Sequence, residues 1–537
     1  MAAVALRDFP QPRRLRIGVF ADTPVQPGWI GEAFARLAAA DFAEVVLVEA
    51  GAEHPGAEPA ALASAFAGLA AVESVPAALM RGDAALPALW QLYSRLDRRL
   101  FDAGEDEPCD LRACLPAGGG ELDVAFALGA LDDAALDGRA RYGVWRFCFG
   151  PQGAQAEGLA GVPEVAREEP LTASGVMVRL SRDEPARLAY QSWSRTCAFS
   201  VARNRDHLRK TAEFAFRAMR DLHRSGEAWL RGCPPLPAGA PARGLAGGDA
   251  LRIGARLARR ALQKALGVEQ WLIAFAFASR VDPELRGFTR LVPTKDRDWA
   301  DPFALERNGR YFIFFEEVPF ASRKGHICVV EVDRAGRASA PVRVLERDYH
   351  LSYPFLFEDG GSLFMIPESA ANATVELWRC VDFPTRWRHE ANLLEGVRCV
   401  DATLHRASDR WWMFANCAPG ASRIFDDELH LFSADRPDGD WQPHPRNPVK
   451  SDPRCSRPAG RLFTKHGALY RPAQVCVPRY GAGLSINRVV KLTAHEYAER
   501  QVERIVPPPA SGLLGVHTLN HARDLRVVDA FVRRRRI

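Results

Sequence analysis

The sequence predicts two folds in series. An α/β domain with a parallel sheet occupies residues 1–230, a linker and a basic amphipathic helix occupy 231–268, and an all-β five-bladed propeller occupies 269–537. Three observations lead there. In the first part, short apolar runs alternate with helical periodicity, the pattern of strands and helices packed in layers. The stretch CPPLPAGAPARGLAGGD at 233–249 has no periodicity and marks a boundary. Beyond it, a unit of polar corner, strand, tight turn and aromatic strand returns about every 50 residues, the period of propeller blades.

In the first domain, residues 15–20 (LRIGVF) read as a buried strand, and further strands are expected at 43–48 and 123–127. Residues 31–40 read as a helix, with Ala33, Phe34 and Leu37 recurring at helical spacing. The loop after the first strand, ADTPVQPG, contains no GxGxxG, so dinucleotide binding has no support. A helix is expected over 204–226, with Leu208, Ala212, Phe216, Met219 and Leu222 on one face. Residues 251–267 (LRIGARLARRALQKALG) set Ile253, Leu257, Ala261 and Leu262 against Arg256, Arg259, Arg260 and Lys264. Such a helix either docks between domains or makes peripheral contact with an anionic membrane.

Composition narrows the class. The chain has 537 residues, 47% of them apolar, which suffices for two or three cores. No apolar run reaches the roughly 18–20 residues that span a bilayer. The stretch MAAVALRDFPQPRR is no secretory signal, and eleven irregularly spaced cysteines read as free thiols of a cytoplasmic protein. A net charge of +5 does not argue for nucleic acid, and Arg533–Arg536 reads as a solvated tail. His350, His405 and His517 show no ligand spacing, so no metal is expected.

The propeller unit is clearest in WADPFALERNGRYFIFFEE, beginning at Trp299. It returns as SYPFLFEDGGSLFMIPE from Ser352, VDATLHRASDRWWMFAN from Val400 and SRPAGRLFTKHGALYRPAQ from Ser456. A weaker fifth unit is expected from Gly483 to Asn520, and EQWLIAFAF at 269–277 as the opening strand. Polar residues at the ends of inner strands converge on one funnel. They are Asp301, Glu316 and Glu317 from the first unit, Glu368 and Asn372 from the second, and Asp401 from the third. Arg457, Arg471 and Gln474 come from the fourth, and Asn487 from the fifth. Carboxylates from separate blades supply an acid and a base where one is protonated and the other ionised. Arg457 and Arg471 suit an anionic group on a ligand, because a guanidinium forks to two oxygens. Trp299, Tyr353 and Trp412 are candidate platforms for sugar rings. The competing reading makes Asp301-Pro302 a turn, Glu368 and Asp401 inter-blade partners of Arg457 or Arg471, and the aromatic pairs packing.

Two resemblances add to this. ELDVAFALGALDDAALDGRARYGVWRFCFG (121–150) resembles the formyltransferase-like fold. Active members carry Asn and then His on the GVWxF-type strand; the matching positions here hold Arg146 and Cys148, so the resemblance implies a scaffold or a repurposed pocket. HLSYPFLFEDGGSLFMIPESAANATVELWRC (350–380), with VDATLHR, WWMF and GVHTLNHARDLRVVDAF, resembles the N-terminal domain of glucosamine inositolphosphorylceramide transferases. That domain is similar in shape to five-bladed glycoside hydrolases, whose funnels use carboxylates of the first three blades. The resemblance therefore implies Asp301, Glu368 and Asp401 as the catalytic trio; the reading of strand ends gives Glu317, Tyr353, Asn372, Arg457, Arg471, Gln474 and Asn487 as substrate-binding residues. At the second corner those hydrolases place Arg-Asp-Pro where this chain has Ser352-Tyr353-Pro354. The expectation is a glycosyltransferase-type protein of surface-polysaccharide or glycolipid biosynthesis. It takes a sugar or glycolipid substrate and a nucleotide-sugar donor, and no cofactor. The alternatives are a non-catalytic glycan-binding scaffold, and formyl or acyl transfer to an amino sugar by the first domain.

Overall fold

The computed structural model describes residues 13–49, 107–129, 131–151, 153, 160–236, 247–278, 281–407, 409–418 and 422–535. Residues 237–246 of the expected linker and Arg536 of the basic tail lie outside them. The chain divides into two compact units, with the main boundary after Leu257, inside the helix Gly247–Leu266.

The first unit is α/β. Its sheet runs in the order Ala43–Glu49, Leu15–Ala21, Val124–Leu128, Val144–Phe149, Leu171–Arg179, Arg187–Arg195. The first four strands are parallel neighbours, while Leu171–Arg179 runs antiparallel to Val144–Phe149. The expected parallel sheet is therefore mixed. The antiparallel return follows the segment that contains the helix Val162–Arg167, so the chain re-enters the sheet beside Val144–Phe149 from the opposite end. Side chains alternate across the sheet: Ile17 and Val19 join a core with Trp29, Phe34, Phe126, Phe147 and Met219, and Phe20 joins another with Val46 and Ala125. The helix His207–Gly232 buries Leu208, Ala212, Phe214, Met219 and Leu222, and Phe214 takes the inward place expected for Phe216.

The second unit is a propeller of five sheets. Blade one comprises Arg297–Arg307, Arg310–Pro319, His326–Val332 and Val342–Leu345, and blade two Ser352–Asp359, Ser362–Ser369, Thr374–Asp382 and Arg386–Glu395. Blade three is built on Cys399–Ala407, Arg410–Cys417 and Glu428–Ala434, and blade four on Phe463–Lys465, Ala468–Val475, Gly483–Leu492 and Tyr497–Ile505. The fifth blade differs from the expected one. Gly483–Leu492, and with it Asn487, belongs to blade four. Blade five instead joins Thr289–Leu291 and Gly267–Phe277 to Leu525–Arg535, Leu519–Ala522 and Leu513–Gly515. The opening strand is thus an inner member of the closing blade, paired over its whole length with the last strand. Pairing both ends of the repeat in one sheet removes the open edges that an unclosed ring would present.

The expectation of free thiols alone is corrected at one place: Cys399 and Cys417, opposite one another in blade three, form a disulfide. No helix among the described residues is long and apolar enough to cross a membrane.

Candidate active site

The inner strands of blades one to three break register at the same point. A β-bulge follows Ala300, Ser352 and Val400, and the next residue in each case, Asp301, Tyr353 and Asp401, has φ of 52°, 42° and 55°. Left-handed backbone is sparsely populated outside glycine, and for a tyrosine it is an outlier. Three such corners at equivalent places mark a common constraint on where these side chains go. Arg457 in blade four and His517 in blade five complete a first ring. A second ring comes from the adjoining strands, where Glu316, Glu368 and Asn416 pair with Ala300, Ser352 and Val400. Gln474 and Asp529 hold the corresponding places beside Arg457 and His517.

Hydrogen bonds join these residues across all five blades. His517 sits between two carboxylates, with Nε2 3.2 Å from Asp301 Oδ1 and Nδ1 2.8 Å from Asp529 Oδ2. Thr518 Oγ1 donates to Asp301 at 2.9 Å, and the Tyr353 N–H donates to it at 3.3 Å. Arg457 Nε and Gln474 Nε2 both donate to Asp401 Oδ2, at 2.6 and 2.9 Å. The Tyr353 hydroxyl lies 2.8 Å from Thr403 Oγ1 and accepts from the Gly460 N–H at 2.7 Å, tying blade two to blades three and four. Glu368 accepts from Ser352 Oγ at 2.8 Å and from the Ala370 N–H at 2.7 Å.

The environments separate these groups in protonation. Burial disfavours charge on Asp301, yet His517 holds its carboxyl below the ordinary range. Burial also disfavours the His517 cation, but Asp529 and Asp301 raise it to about 10. Burial pushes Asp401 up to about 6 against the pull of Arg457, and pushes Glu316 up to about 7. Glu316 Oε1 lies 2.9 Å from His350 Nε2. Burial opposes the imidazolium, and the Glu316 carboxylate pulls towards it. The Gly325 N–H, however, donates to His350 Nδ1 at 2.9 Å, which requires that nitrogen to be bare. His350 is therefore the neutral Nε2–H tautomer donating to Glu316, and the proton that titrates near neutrality belongs to the carboxyl. The His350 side chain is 34% exposed, against 10% for Glu316, so it links the buried acid to solvent.

The other expected residues divide clearly. Asp301, Tyr353, Glu368, Asp401, Arg457 and Gln474 come together. Glu317, on the opposite face of its strand from Glu316, bonds His326, Trp299 and Arg297, and is held down to about 2. Asn372 bonds Thr374 and Glu376. Arg471 is wholly buried against Glu499 and the carbonyls of Cys455 and Ser456, and Asn487 donates to the Arg471 carbonyl. Tyr353 is buried with its ring edge-on to Phe303, and Trp412 is packed in a core, so neither presents a face.

Sequence reasoning weighed His350 and His517 only as metal ligands and passed over Asn416 and Asp529. The signal for Asn416 was present, since it closes the third unit as Glu368 closes the second. Its side-chain nitrogen and oxygen are both buried without a partner, which marks the place where a water or substrate hydroxyl fits.

Among the described residues, two groups have the composition of metal ligands: Glu317, His326 and Cys328, and Asp301, His517 and Asp529. Burial pushes the Cys328 thiol up to about 12, and Asp529 and Asp301 favour the His517 cation, which offers no lone pair, so neither set is poised for a cation. In the first unit the Arg146 guanidinium is held by Asp133 and by the carbonyls of Gly129 and Leu131, and burial raises the Cys148 thiol to about 12.

Comparison with known proteins bears on the propeller. Residues 294–524 match the family described as glucosamine inositolphosphorylceramide transferase 1, N-terminal. The Oryza sativa subsp. japonica protein named glucosamine inositolphosphorylceramide transferase 1 is 32% identical over 203 residues, 37% of this chain and 27% of that protein. Its Arabidopsis thaliana namesake is 30% identical over 206 residues, 38% of this chain and 27% of that protein. The chain thus spans 27% of the length of these curated relatives. Among solved structures, the catalytic domain of a Coprinopsis cinerea GH62 α-L-arabinofuranosidase aligns with a TM-score of 0.34 and 10% identity, over 43% of this chain and 90% of that one. A family 117 glycoside hydrolase of Zobellia galactanivorans aligns with a TM-score of 0.33 and 11% identity, over 49% and 90%. The five-bladed propeller of this chain resembles the N-terminal domain of glucosamine inositolphosphorylceramide transferase.

Proposed function

We propose that the propeller acts on a glycosyl unit of a glycolipid, transferring it by acid–base chemistry in the double ring. The observation that carries this reading is the split in protonation among neighbouring buried carboxylates. Asp301 is held ionised by His517, while Glu316 is held near neutrality by burial, the division of labour that glycosidic-bond chemistry needs. Asp301 and Asp401 serve as the anionic partners of the developing positive charge, and Glu368 positions the sugar. Glu316 gives its proton to the leaving oxygen of the donor and recovers one from the attacking acceptor hydroxyl, while His350 holds the carboxyl in place through its Nε2–H. Arg457, stacked 4.9 Å from the Tyr480 ring centroid, binds an anionic group of the donor, a nucleotide sugar. The relatives' name, joining an amino sugar to an inositol phosphate-bearing ceramide, supports glycolipid over polysaccharide.

A second reading has its own observation. Asp301, Glu368 and Asp401 all have partners within the fold, which also suits a glycan-binding scaffold. Formyl transfer by the first unit is disfavoured, because Arg146 is fully engaged and Cys148 is protonated at neutral pH.

The test is a thermal-shift panel of nucleotide sugars, short oligosaccharides and 10-formyltetrahydrofolate on wild type, Asp301→Asn and Glu316→Gln, followed by turnover assays with any hit. Glycosyl transfer requires a nucleotide-sugar shift that Asp301→Asn alters, and turnover that Glu316→Gln removes. An oligosaccharide shift without turnover selects the scaffold. A folate shift indifferent to Asp301→Asn returns the chemistry to the first unit.

A further inference from the structure

The helix Gly247–Leu266 carries Arg252, Arg256, Arg259, Arg260 and Lys264 against one acid, Asp249. Its expected apolar stripe is divided in the structure. Ile253 is buried and Leu257 half-buried, and Arg256 and Arg260 turn inward with them, 3.3 Å from Glu168 and 2.8 Å from Glu269. Leu251, Leu262 and Leu266 face outward, exposed by 61, 59 and 68%. At about 100° per residue these three leucines fall within roughly 60° of one another, with exposed Ala255 between them. Arg252, which also pairs with Asp249, and Arg259, both exposed, border the stripe on one side. The positive edge continues on the last strand, where exposed Arg535 lies in register with Gly267 and Arg533 shares Glu269 with Arg260.

We propose that this face is a peripheral docking surface for an anionic lipid membrane. A short row of leucines with arginines along its border, and no carboxylate among the exposed residues of the helix, is the arrangement of a helix lying in the lipid interface. The leucines enter the acyl boundary while the arginine stems lie along it and their guanidinium groups reach lipid phosphates. A protein partner would ordinarily ask for a wider apolar patch with mixed charge at its rim. The inference is independent of the chemistry proposed for the rings, although a glycolipid substrate would sit at the same surface.

The experiment is co-sedimentation of the full chain with vesicles of phosphatidylcholine alone or mixed with phosphatidylglycerol, at low and high salt. Wild type is expected to pellet with the anionic vesicles and to be released by salt. Leu262→Asp/Leu266→Asp, exposed positions whose change leaves the melting temperature in place, should weaken binding by at least about tenfold. Arg252→Gln/Arg259→Gln should weaken it without touching the leucines. Wild type that stays in the supernatant with anionic vesicles overturns the proposal, as does undiminished binding by both double variants. Equal binding to uncharged vesicles overturns its electrostatic part. If sedimentation velocity instead shows a wild-type dimer that the leucine variant dissolves, the occupant is a second copy of the chain and the membrane proposal falls.

Discussion

Asp301, Tyr353 and Asp401 share one backbone conformation, yet their side chains do different work. Asp301 and Asp401 carry charge into the ring, and Tyr353 spans to blades three and four through its hydroxyl. Tyr353→Phe keeps the ring and removes that hydroxyl, leaving the Gly460 N–H buried without its acceptor. A loss of about 1–3 kcal/mol is expected from chemical denaturation, with the fold retained. Gly325 shows why the acid is placed as it is: a Cβ there would come within 2.7 Å of Glu316 Oε1 and 2.8 Å of His350. Glu316→Gln, which keeps shape and removes the titrating proton, should abolish the alkaline limb of any pH–rate profile along with most of the rate. A profile whose alkaline limb persists in that variant would put the proton on another group. The corner aspartates were readable because Asp-Pro and Asp-Ala recur at one place in the repeat. His517 was not, since its partners Asp301 and Asp529 approach it only in the closed ring.

At the scale of elements, the repeat is local and the closure is not. Four blades are contiguous hairpins whose turns, such as Asn308-Gly309 and Gly360-Gly361, announce themselves in the sequence. The fifth combines strands from 267–291 with strands from 513–535, so no window of sequence contains it. That separation explains why Gly483–Leu492, a strand of blade four, reads in sequence as its start. The same separation makes the junction a sensitive point. Phe275, in the opening strand, is 1% exposed and packs with Ile313, Phe315 and Val527 from blades one and five. Phe275→Ala is expected to cost about 3–5 kcal/mol, read as a lowered denaturation midpoint. An exposed strand residue such as Val490, 64% exposed, should change by less than about 0.5 kcal/mol on truncation to Ala. Equal losses at the two positions would mean that closure contributes nothing special.

For the whole molecule, the ring sets how stability follows pH. His517 has a folded pKa of about 10 against an ordinary 6.5, so its contribution is complete below about 6.5 and declines as pH rises through 10. Glu316, raised from 4.5 to about 7, acts in the same direction: the folded state keeps its proton longer, and that advantage is gone above 7. Asp301 is lowered, so its contribution is present above the ordinary 3.8 and is lost as pH falls through the folded value. The three together place maximal stability in mildly acidic solution, with an alkaline decline on the order of a few kcal/mol between pH 6.5 and 10. His517→Gln removes the cation that holds Asp301 and Asp529 together, and should lower the melting temperature most near pH 6. It should also flatten the decline above it. A variant that melts lower by the same amount at pH 6 and pH 10 would show that His517 acts through packing alone, and that the charge pattern across the five blades does not stabilise their closure.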